Sequence, residues 1–141
     1  MIMKCKQLRN KYFIRLVKGE KIIETLLGFL EEHGIKAGFF NGLGAVSGAV
    51  LGHYDLETKK YSEKKFEGQR EIVSFHGNIS RLNGKPYIHA HICLGDKEMA
   101  LVGGHCKEAV VAATCEIVLI DLDIDVERYP DKEIGLNLFE M

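Results

Sequence analysis

Ser74-Phe75-His76-Gly77-Asn78-Ile79-Ser80-Arg81-Leu82-Asn83-Gly84-Lys85-Pro86-Tyr87-Ile88-His89-Ala90-His91-Ile92-Cys93-Leu94 reads as two strands joined by a tight turn. Asn-Gly suits a two-residue hairpin loop, because both central residues of a type I′ turn need positive φ. With Leu82 paired to Lys85, Asn78 faces His89, His76 faces His91 and Ser74 faces Cys93. Residues two apart on a strand share a face. All six side chains therefore project to one side of the hairpin.

Upstream, Tyr12 to Val17 is a strand ended by Lys18-Gly19. Ile22, Ile23, Leu26, Leu27 and Leu30 then recur at helical spacing, and Gly34 after His33 is a helix stop. Phe39 to Asp55 reads as strand, with glycines at 42, 44, 48 and 52 that mark bulges or close backbone approach. Leu56 to Lys59 is a turn, and two further strands are expected over Lys60 to Phe66 and Glu71 to Ser80.

Downstream, Met99 to Val102 is expected to be a short strand, and Gly103-Gly104 a turn that delivers His105. Lys107 to Thr114 is expected to be a short helix. Cys115 to Val126 alternates and reads as one long strand with an acidic end. The sum is an α+β fold: a mostly antiparallel central sheet with one long helix and one short one. A single domain over residues 8–141 is expected, with residues 1–7 as an N-terminal extension.

Composition narrows the function classes. The formal net charge is −1, so the chain lacks the broad basic field that drives most nucleic-acid binding. Lys59-Lys60 with Lys64-Lys65 is a local patch that suits a solvated hairpin face. No apolar run approaches the roughly 20 residues of a membrane span, and the first residues lack the apolar stretch of a secretory signal. Cys5, Cys93, Cys106 and Cys115 form no C-x-x-C pair, and the expectation is reduced thiols in a cytoplasmic protein. Asn41-Gly42-Leu43-Gly44 matches no phosphate-binding loop pattern.

The chemistry concentrates in histidine. His89 and His91 can converge on one ion from a single strand face, and His105 from a neighbouring segment would complete a three-histidine set. Three neutral imidazoles with an open fourth position form a ligand set that catalytic zinc uses. His76 and Asn78 would stand beside them as hydrogen-bonding neighbours. His33 suits a helix C-terminus, where a cation complements the dipole. His53 reads as ordinary sheet. Cys106 should point away from His105 as a buried thiol. The bland alternative is a polar sheet face that carries histidines and binds nothing.

The stretch from Gly38 to Ser47 and then Leu51-Gly52-His53-Tyr54-Asp55 resembles the plants and prokaryotes conserved (PPC) domain. So do Phe66-Glu67-Gly68, Glu71-Ile72-Val73-Ser74, Gly77-Asn78-Ile79, His89-Ala90-His91 and Gly103-Gly104-His105. The resemblance implies an α+β fold and a homotrimer. The plant members act on DNA through AT-hook arms, and Arg-Gly-Arg-Pro occurs nowhere in this chain. The fold is also similar to that of acetolactate decarboxylase, whose zinc sits on a His-x-His pair plus one more histidine. By that motif His89, His91 and His105 correspond to the ligands of a Zn2+ or other divalent ion, whereas the decarboxylase's further catalytic residues find no matching position. Three functions follow as expectations: a metal site acting on a small carboxylated or carbonyl ligand, a DNA-associated regulatory module, or a structural oligomer without activity.

Overall fold

The computed structural model describes residues 2–141. In chain order it contains β1 (Lys4–Leu8), β2 (Lys11–Val17), α1 (Ile22–His33), β3 (Gly38–Asp55), β4 (Lys60–Leu82), β5 (Lys85–Gly95), β6 (Leu101–Asp121), β7 (Glu127–Pro130) and β8 (Asn137–Phe139). The strands form one mixed sheet, antiparallel except where β7 runs parallel to β4. The pairings β3–β4, β4–β5, β5–β6 and β6–β3 close a circuit. This circuit brings the end of β5 and the start of β6 together.

Tyr12, Ile14 and Leu16 alternate inward along β2, and Ile22, Leu26, Phe29 and Leu30 of α1 pack onto the same core. Full burial of such a side chain contributes roughly 1.5–3 kcal/mol. The helix stops at Gly34, whose φ of 64° is left-handed. Its start has no local side-chain cap. Instead Glu108 reaches over from β6 and accepts the N–H groups of Ile23 at 2.8 Å and Glu24 at 3.1 Å. A carboxylate there satisfies free amides and complements the positive end of the helix dipole. His33 stacks on Phe29 with centroids 4.0 Å apart, and its Nδ1 lies 3.0 Å from the Phe29 carbonyl oxygen.

Four expectations need correction. The short helix over Lys107 to Thr114 does not exist, since those residues lie inside β6. Register shifts against β3, between Val50 and Leu51 and on either side of Val46, break the period-two pattern there. The buried residues Cys106, Ala109, Val111 and Cys115 consequently fail to alternate, which is how a bulged strand conceals itself. Gly103-Gly104 is likewise strand rather than turn, with Gly103 opposite Cys93 and Gly104 opposite Ile92. Finally, β6 ends at Asp121 instead of running on to Val126. Asp121 accepts the N–H of Asp123, whose φ of 54° turns the chain away. Asp125 then pairs with Arg81 at 2.8 Å, which accounts for part of the acidic run. The two strands expected over 60–66 and 71–80 are one continuous, bulged β4.

Candidate metal centre

The Asn83-Gly84 hairpin forms in the expected register. Leu82 faces Lys85, Asn78 faces His89, His76 faces His91 and Ser74 faces Cys93. Asn83 and Gly84 have φ of 53° and 75°, as the turn requires. His91 is in turn paired on its other side with His105 of β6, and His105 also faces Gly52 of β3. That double pairing needs glycine beside it. A Cβ on Gly104 would lie 2.9 Å from the Gly52 carbonyl oxygen.

His89, His91 and His105 form one cluster, with a possible ligand atom from each lying within 4.8 Å of the others. Ring centroids are 5.2 Å apart for His89–His91 and 5.4 Å for His89–His105. All three imidazoles are held toward the neutral form. Burial chiefly, then the neighbouring His105, His91 and Arg128, pushes His89 down to about 4. Burial, then His76, lowers His91; burial, then His91, lowers His105, against a smaller opposing pull from Glu63. Neutral imidazole is the form that binds a metal. The Nδ1 of His105 is buried without a hydrogen-bond partner, so that nitrogen is committed to no contact that the fold needs. The donor set fits a divalent metal ion.

The neighbours divide. His76 is exposed, 6.5 Å from His91 by centroids, and lies outside the cluster, with Ser74 Oγ 3.4 Å from its Nδ1. Asn78 is exposed on the same face, and both border a hollow that reaches His89 and His91. Cys106 is buried, and burial raises its thiol to about 12. It behaves as core, as its place after His105 implies. His53 lines the cavity that lies over the three histidines.

That cavity has a volume of about 380 Å³ and opens over the three histidines. Tyr61 and Tyr87 form part of its wall, and Leu136 and Leu138 close it from the C-terminal segment. Arg128 of β7 also lines it. Nothing in the sequence around Arg128-Tyr129-Pro130 marks that residue. Its place follows from the parallel pairing of β7 with β4, where Leu82 faces Arg128.

Comparison with known proteins gives several close structural likenesses. A protein from Bacteroides thetaiotaomicron described as a "putative DNA binding protein" superposes with a TM-score of 0.96 at 31% identity, covering 99% of this chain and 98% of its own. A metal-containing protein from Archaeoglobus fulgidus gives 0.89 at 34% identity, covering 100% and 99%. A plant- and prokaryote-conserved protein from Pyrococcus horikoshii gives 0.88 at 32% identity, covering 99% and 95%. No curated protein matches the chain. The Plants and Prokaryotes Conserved (PCC) domain matches over residues 3–123, and the chain belongs to that family.

Proposed function

We propose that His89, His91 and His105 hold one zinc ion and that the site serves a small carboxylated or carbonyl ligand. The observation that carries this reading is the convergence of three imidazoles, all biased to the neutral form, within 4.8 Å of one another. Three protein nitrogens leave a tetrahedral ion one position for water or ligand. Zinc so bound polarises a carbonyl oxygen or brings the pKa of its water near 7. The residues of the chain supply the rest: neutral donors on two paired strands, and cavity walls from Tyr61 and Tyr87. The metal-containing Archaeoglobus relative supports the reading.

Cobalt substitution tests it. Cobalt-loaded protein should give the intense visible absorption of a four-coordinate site, and a His89→Ala variant should not. A weak six-coordinate spectrum in both would remove the proposal.

We also propose a homotrimer, which the family resemblance implies. Phe13, Phe39, Leu43 and Val118 are exposed on the face of β2, β6 and β3 that turns away from the helix. Contiguous exposed apolar side chains of this kind mark association surfaces. Light scattering should return three chains, and a monomer would count against it. Four unpaired cysteines, two of them buried, suit a reducing cytoplasm. Among the described residues no helix is long and apolar enough to cross a membrane.

DNA association is a second reading, favoured by the description of the Bacteroides relative. The net charge of −1 opposes it. A mobility shift at low salt, where phosphate contacts are strongest, separates the two readings, and absence of a shift there removes DNA.

A further inference from the structure

Resting on the metal reading, we propose that Arg128 is the anion-recognition group of the histidine cavity. It would hold the carboxylate of a small organic acid whose other end reaches the three histidines.

Arg128 is 7% exposed and lines the cavity together with His89, His91 and His105. A buried cation normally has a counter-ion, because desolvation of an unpaired charge is costly. The two half-buried arginines follow that rule: Arg81 pairs with Asp125 and Glu127, and Arg70 with Asp96. Arg128 does not. Among the described residues no carboxylate pairs with it. Its protein partners are neutral: Nε donates to Ser80 Oγ at 2.7 Å and Nη1 to the Asn137 carbonyl at 2.7 Å.

Those bonds fix the guanidinium without using it up. Of its five N–H donors, two are engaged. Nη2 has no protein partner and is not sealed from solvent. The group also lies over two rings, 4.2 Å from the Phe139 centroid and 4.9 Å from that of Tyr87. A flat fork fixed in this way offers its free edge to a flat partner, and a carboxylate matches it with two parallel hydrogen bonds. The cavity volume of about 380 Å³ suits a small organic acid. A metal at the histidines would add positive charge at one end, with Arg128 at the other.

Malonate, with a carboxylate for each end, is the probe. It is titrated calorimetrically into zinc-loaded and metal-free protein, with neutral malonamide as control. Arg128→Met should weaken malonate binding at least about tenfold while zinc content and the malonamide response stay unchanged. Equal binding by wild type and variant, or no binding by wild type, overturns the proposal and leaves the zinc reading intact. If the protein takes up no zinc, the metal reading fails by itself. Arg128-dependent malonate binding to the metal-free protein then supports the anion site, and its absence overturns it. Inorganic phosphate binding more tightly than malonate would overturn the carboxylate assignment. If Arg128→Met does not fold, Arg128→Lys serves: it keeps the charge without the fork, and binding as tight as wild type would contradict the proposal.

Discussion

His91 of β5 and His105 of β6 lie directly opposite each other, with ring centroids 5.8 Å apart and planes at 89°. The pair exists because β6 is bonded on both sides at this point, to β5 and to β3. One imidazole comes from a hairpin strand and the other from the strand that closes the circuit. The site is therefore as rigid as the sheet around it.

Gly104 is the weak point of that closure. Its Cβ would crowd the Gly52 carbonyl oxygen at 2.9 Å. Gly104→Ala should destabilise the fold by about 1–3 kcal/mol, the usual range for overpacking. It should also weaken metal binding by moving His105. Urea unfolding and metal titration read the two effects separately; a variant as stable as wild type would mean that the strands can part there at little cost.

Acid should weaken the metal-free fold through His89. Its folded pKa is about 4, against 6.5 for the free group. The unfolded chain thus binds more protons between those values, and stability rises with pH across that window. The contribution is whole above about pH 6.5 and is lost as pH falls toward about 4. Urea midpoints of metal-free protein should drop over this interval, and His89→Gln should flatten the drop. An equal drop in both proteins would place the acid sensitivity elsewhere.

The hairpin carrying His89 and His91 was legible because Asn83-Gly84 sets its own register locally. Helix α1 was legible from its apolar spacing, although Phe29 joins the buried face and Ile23 only borders it. The N-terminal half of β6 was not legible. Its bulges are set by pairing with β3, which lies more than fifty residues away in sequence, and they erase the alternation that announces a strand. For the same reason His105 was expected at the end of a glycine turn and lies instead within a strand. Arg128 left no signal at all, since its place in the cavity wall depends on a parallel pairing at the sheet edge.

Glu108 illustrates another non-local device. It caps α1 from β6, so Glu108→Ala should cost about 1–2 kcal/mol, as loss of a local cap does. The metal content should not change, because Glu108 does not belong to the histidine cluster. A denaturant titration with parallel elemental analysis checks both statements. Full stability in the variant would show that water caps the helix equally well.

The central claim is that three histidines from two strands make one metal site. Elemental analysis of untagged protein, set beside His91→Ala and His105→Ala, tests it most directly. About one zinc per chain is expected in the wild type, with affinity reduced roughly 100-fold or more in either variant, beyond what loss of a supporting residue causes. A wild type without metal, or variants that retain it at full affinity, would contradict the account.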